Sequence, residues 1–198
     1  KHKIIPTILS RCQIFDFRRI SVDDIARHLA FVAGKEGVKA DPDALHVIAL
    51  KADGSLRDAL SIFDQLVSFA GQEISYQDVI SNLNVLDYEY YFRMMQHILE
   101  GDLRAALLLV HEILGNGFDG QHFIIGMGEH LRNLMVAMDS RTAGLLEVTE
   151  GYRRRYAEQA GECTQDLLLR ALELANQVDL HYKTSNHKQL HLELGVMK

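Results

Sequence analysis

The chain has 198 residues, 47% of them hydrophobic, and 21 basic against 27 acidic side chains give a net charge of −6 at neutral pH. That apolar content supports one large or two small buried cores and excludes a disordered chain, while the acidic balance opposes autonomous binding to a phosphate backbone. Two distant cysteines, Cys12 and Cys163, offer neither a disulfide framework nor metal-ligand spacing, which fits a reducing cytoplasm.

The longest apolar runs, such as Leu103 to Val110, are too short for a bilayer and are broken by charge, and no basic leader precedes an apolar signal core. A chain that opens on Lys1-His2-Lys3 and stops at Met197-Lys198 inside a helical pattern is expected to be an excised piece of a longer protein.

In chain order, Thr7 to Ser10 forms a short apolar turn, and Cys12 to Phe17, with Phe15 and Phe17 at period two, predicts a short strand without an obvious partner. Prolines occur only at positions 6 and 42, so helix is expected nearly everywhere after that. Ser21 followed by Asp24 predicts a capped helix over 22–35, stopped by Gly34 and Gly37. Asp41-Pro42 starts a second helix running to about Ala52, because the aspartate accepts orphan N–H groups and proline has none to leave unpaired. Gly54-Ser55 opens a third helix, with Leu56, Ala59, Leu60, Phe63, Leu66 and Val67 as its apolar face, ending at Gly71. Ser75 with Asp78 caps a short fourth helix.

The periodic pattern lapses over 82–86, which predicts a junction and a second, larger helical bundle. Its expected helices cover 87–99, 103–114, 120–138, 150–160, 164–182 and 186 onward, with a looser stretch over 140–149. No signature recurs at a fixed period, so a single bundle is expected rather than a repeat array.

Two arginines are candidates for chemistry. Arg11 stands between the apolar turn and the expected strand, where a guanidinium projects from a domain edge; a solvated charge or a surface ion pair is the alternative. Arg57 lies in the first turn of a helix, where the macrodipole disfavours a cation, so either a polyanion or a neighbouring acid, Asp53 or Asp58, must compensate it.

Other groups have bland readings. His187 and His191, spaced i to i+4, lack a third metal ligand; Arg153-Arg154-Arg155, flanked by Glu150 and Glu158, suits a solvated helix face; and Tyr88, Tyr90, Tyr91 and Phe92 point around their helix, which suits packing better than base stacking. No metal site is expected.

Thr7-Ile8-Leu9-Ser10-Arg11-Cys12 followed by Gly54-Ser55-Leu56-Arg57-Asp58-Ala59-Leu60 resembles the clamp-loader branch of the AAA+ ATPases, of the bacterial DNA polymerase III gamma/tau type. The likeness extends through Asp64-Gln65 and Asn84-Val85-Leu86, and more loosely to the end. It implies an all-α fold in three parts: a strand-like remnant of the AAA+ nucleotide-binding core over 1–17, a small four-helix lid over 18–82, and a larger collar-type oligomerisation bundle over 83–198. It also implies that Arg11 is an arginine finger acting in trans on a neighbour's ATP, and that Arg57 is the sensor 2 arginine reaching the phosphates of its own subunit. Arginine suits both roles, because its fork stays charged and grips two phosphate oxygens. ATP and Mg²⁺ are implied for the full-length protein only, since no G-x-x-x-x-G-K-[ST] loop occurs in this chain and it is not expected to hydrolyse ATP alone. The partners implied are other clamp-loader subunits through the collar, self-association, and the sliding clamp and primed DNA in the intact complex, all in the cytoplasm and away from membranes. A helical interaction module without a nucleotide role, or another AAA+ machine, is the alternative.

Overall fold

The computed structural model describes residues 5–13, 15 and 17–198 and is helical through most of that length. A single turn, α1 (Pro6–Leu9), comes first, and residues 17–21 lead without regular structure into a first bundle of α2 (Val22–Glu36), α3 (Pro42–Lys51), α4 (Leu56–Ala70) and α5 (Tyr76–Leu83). The strand pattern over 12–17 falls partly on Ile14 and Asp16, outside the described residues; Cys12, Gln13, Phe15 and Phe17 run without a ladder partner, and the two phenylalanines are exposed.

The caps anticipated from the sequence set the helix starts. Ser21 accepts the Asp24 N–H at 3.2 Å, Asp41 accepts the Asp43 N–H at 3.0 Å, and Ser55 accepts the Asp58 N–H at 3.3 Å. At Ser75 the box is reciprocal: its hydroxyl takes the Asp78 N–H at 3.2 Å, and the Asp78 carboxylate takes the Ser75 N–H at 3.0 Å. Helix α2 passes through Gly34, since one glycine inside a helix costs only about 1 kcal/mol, and ends at the left-handed cap of Gly37.

Two strands of two residues were not anticipated. β1 (Lys39–Ala40) pairs in parallel with β2 (Glu73–Ile74), flanked by bonds from the Lys39 N–H to the Gln72 carbonyl (2.8 Å) and from the Asp41 N–H to the Ile74 carbonyl (3.0 Å). The ladder thereby holds the caps of α3 and α5 side by side.

The core of this bundle centres on Ile25, Leu29, Ile48, Phe63, Leu66, Ile74 and Val79. Helix α3 is buried continuously from Ala44 to Ala49. A helix apolar on all sides must be covered on all sides; α2, α4 and α5 cover one side, and the second bundle approaches the other.

The second bundle contains α6 (Tyr88–Glu100), α7 (Leu103–Gly115), α8 (Gly120–Ala137), a 3-10 turn (Ala143–Leu145), α9 (Glu150–Gly161), α10 (Gln165–Tyr182) and α11 (Lys188–Val196). Its separate core includes Met94, Met95, Leu109, Ile113, Leu131, Leu134, Tyr156 and Leu168. At Gly126 a Cβ would collide with the ring and hydroxyl of Tyr91, so the α6–α8 crossing requires glycine there.

Polar contacts join the bundles. His46 of α3 donates through Nε2 to the Glu147 carbonyl at 2.9 Å. Asp87 caps α6 by accepting the Glu89 N–H at 3.0 Å, and the same carboxylate accepts the Tyr76 hydroxyl at 3.1 Å. No helix among the described residues is long and apolar enough to cross a membrane.

Candidate functional site

Arg57 is exposed in the first turn of α4, just after the Ser55 cap. Neither Asp53 nor Asp58 pairs with it, and among the described residues no carboxylate lies within ion-pair distance of its guanidinium. Asp53 is instead engaged by Arg19. The sequence left two ways of compensating a cation at a helix N-terminus. The local ion pair is not made, so the charge faces outward beside the partial positive end of α4, a location that suits an external anion.

The loop before α4 sets this geometry. Asp53 and Gly54 both adopt left-handed backbone, with φ of 47° and 80°. A Cβ on Gly54 would lie 2.7 Å from Cβ of Arg19, so glycine is needed for both conformation and space.

Arg11 is exposed in the turn after α1, where its N–H donates to the Ile8 carbonyl at 3.1 Å and the Ser10 hydroxyl donates to the Thr7 carbonyl at 3.1 Å. No hydrogen bond or ion pair among the described residues joins Arg11 to α4. What holds the loop before α4 instead is Arg19 and Ile20, which pair with Asp53 and bond to the Gly54 carbonyl; an arginine just upstream of a capped helix has no periodic or motif signal of its own.

The remaining candidates are structural in position. His191 donates through Nε2 to the Val178 carbonyl at 3.0 Å and so pins α11 to α10, and no group of three metal-ligating side chains occurs among the described residues. Arg153 pairs with Glu150 at 3.2 Å, whereas Arg155 departs from a solvated face: it pairs with Glu89 at 2.8 Å and lies 4.3 Å from the centre of the Phe92 ring, holding α9 on α6. Tyr91 and Phe92 are buried in the second core, and Tyr88 packs on Tyr152 with ring centres 4.8 Å apart.

A cleft of about 940 Å³ runs between α3 and the second bundle, lined among others by Lys51, Tyr91, Glu129, His130 and Tyr156. His130 is buried at its floor. Its Nε2–H donates to Oε1 of Gln159 at 3.0 Å, its Nδ1 accepts from the Tyr156 hydroxyl at 3.1 Å, and Gln159 Nε2 donates to the Phe92 carbonyl at 3.0 Å. Both ring nitrogens are satisfied in the neutral form. Burial, opposed by the Gln159 bond and assisted by the nearby Arg155 charge, lowers the imidazole pKa to about 4. Burial likewise pushes the Tyr156 hydroxyl up to about 12.

Residues 24–72, covering most of the first bundle and including Gly54 and Arg57, match the family described as DNA polymerase III clamp loader subunit, ATPase lid domain. The chain belongs to the clamp-loader family. Over its whole length it is 29% identical to DNA polymerase III subunit tau of Bacillus subtilis, of which it spans 35%. It is 37% identical over 75% of its length to subunit gamma/tau of Mycoplasma genitalium, spanning 25% of that protein. It is also 32% identical over 82% of its length to the replication factor C small subunit of Thermococcus kodakarensis, of which it spans 19%. The lid and the bundle after it together match the fold of the Bacillus subtilis DNA clamp loader delta protein, with a TM-score of 0.54 at 17% identity, over 96% of this chain and 59% of that one. This clamp-loader chain thus spans about a third or less of the length of these curated relatives.

Proposed function

We propose that the chain is the lid-and-collar portion of a gamma/tau-type subunit of DNA polymerase III, one that couples ATP binding and hydrolysis to placing a sliding clamp on primed DNA. In this reading residues 1–17 are the end of the nucleotide-binding domain, 18–82 the lid and 83–198 the collar that joins neighbouring subunits in the cytoplasm. The observation that carries it is the exposed guanidinium of Arg57, uncompensated at a helix N-terminus within a clamp-loader lid.

When bound, ATP and its Mg²⁺ supply the phosphoryl group and the charge neutralisation for its transfer. Arg57 would bind the phosphates held by its own subunit, so that the lid's position follows nucleotide occupancy. Arg11 would reach a neighbour's nucleotide and stabilise charge developing on the transferred group, a contribution worth roughly 10³ to 10⁵ in rate where arginine fingers have been removed. The fragment alone, with no phosphate loop in its sequence, is not expected to turn ATP over.

The test is made in the intact subunit. Arg57→Ala is expected to weaken ATP binding about ten- to a hundredfold, the range for a lost charge-assisted hydrogen bond. Arg11→Ala should spare binding while abolishing DNA-stimulated turnover. Unchanged ATP affinity in Arg57→Ala would reject the sensing role, and retained turnover in Arg11→Ala would reject the finger.

A further inference from the structure

The chain enters the lid through Arg18, Arg19 and Ile20, and three contacts fasten this entry to the loop that starts α4. The Arg19 guanidinium pairs with Asp53. The Ile20 N–H donates to the Gly54 carbonyl at 3.3 Å. The Arg19 stem covers the bare face of Gly54, where a Cβ would stand 2.7 Å from Arg19 Cβ and 3.1 Å from Cγ. From that loop the chain passes directly into the Ser55 cap and, two residues later, Arg57.

We infer that Arg19 is a positioning residue for Arg57: its clasp on Asp53 and Gly54 fixes the loop from which the first turn of α4 springs, and so fixes where the Arg57 guanidinium is presented. The inference rests on the reading of Arg57 as a phosphate-binding group.

Two features separate this role from plain stability. The pair is largely solvated, with 74% and 73% of the two side chains exposed, and such pairs contribute little to folding. Neither residue belongs to the lid core. What the clasp constrains is backbone. Two consecutive left-handed residues, one of them the non-glycine Asp53, persist where surrounding contacts hold them, and here the contacts on that side come from Arg19 and Ile20. Released, the loop regains alternatives, and Arg57 is presented over a range of directions at an entropic cost to phosphate binding.

The experiment compares Arg19→Ala, Arg19→Lys, Asp53→Arg and the charge swap Arg19→Asp/Asp53→Arg in the intact subunit, with Arg57→Ala alongside. ATP affinity, KM and kcat, melting temperature, and amide exchange over 53–58 are measured for each. Arg19→Ala and Asp53→Arg are expected to raise Kd and KM for ATP about three- to tenfold at unchanged melting temperature, and to speed exchange at the Ser55 and Asp58 amides. Arg19→Lys should recover part of the loss, and the swap most of it.

If Arg57→Ala weakens ATP binding while Arg19→Ala leaves affinity and exchange as they were, Arg57 keeps its role and the clasp is overturned. If Arg57→Ala itself has no effect on affinity, the phosphate-binding reading falls and the positioning inference falls with it. A lowered melting temperature in Arg19→Ala, with no recovery of affinity in Arg19→Lys or the swap, would make Arg19 merely structural and also overturn the inference.

Discussion

Acidifying the protein from pH 8 to pH 5 should weaken its second bundle through a single side chain. His130 is folded with a pKa near 4, against an ordinary value of 6.5. Between those values the unfolded chain binds a proton that the folded chain refuses, so stability is complete above 6.5 and declines as pH falls toward 4. The full loss from a shift of this size is about 3 kcal/mol, of which about 2 kcal/mol is incurred by pH 5. For a protein of this length that corresponds to a fall of roughly 4 to 8 °C in melting temperature. Near-ultraviolet circular dichroism is the suitable probe, because most of the tyrosines, including Tyr156 against the imidazole, lie in this bundle. His130→Gln should melt lower at pH 8, having lost shape and one hydrogen bond, yet show a much flatter dependence on pH. If the wild type and His130→Gln lost the same number of degrees between pH 8 and pH 5, the buried imidazole would not be the acid-sensitive group.

Two further substitutions test packing and capping. Gly126→Ala drives a methyl group into Tyr91 and is expected to destabilise by about 1 to 3 kcal/mol, read in urea titration as a lower midpoint at constant slope, with partial recovery in Gly126→Ala/Tyr91→Leu. Ser75→Ala removes the acceptor for the Asp78 N–H and should cost about 1 kcal/mol, while Asp78→Ala made on top of it should add less than it does alone, because each side chain serves the other's backbone.

The helix starts were legible because capping chemistry is local: Ser21, Asp41, Ser55 and Ser75 each reach an N–H two or three residues ahead. The lid itself was legible from the two arginine-bearing segments. The β1–β2 ladder was not, since two residues carry no alternation and their partner lies over thirty residues away. Arg155 was read as solvated from its charged neighbours Glu150 and Glu158, whereas its partners Glu89 and Phe92 come from α6, more than sixty residues back. Asp53, one of the two acids that could have neutralised Arg57, is taken by Arg19, a contact spanning thirty-four residues that no local window contains. At each of these points the deciding neighbour is distant in sequence, and tertiary contacts override local preference.

Helix α3 has no spare side. Inward it packs Ala44 and Ile48 into the lid; outward His46 bonds to Glu147, and Val47 and Leu50 border the cleft toward the second bundle. A lid transplanted onto a foreign second bundle would therefore bring with it an apolar strip cut to fit a surface left behind. A substitution on this ten-residue helix must therefore satisfy two neighbours at once.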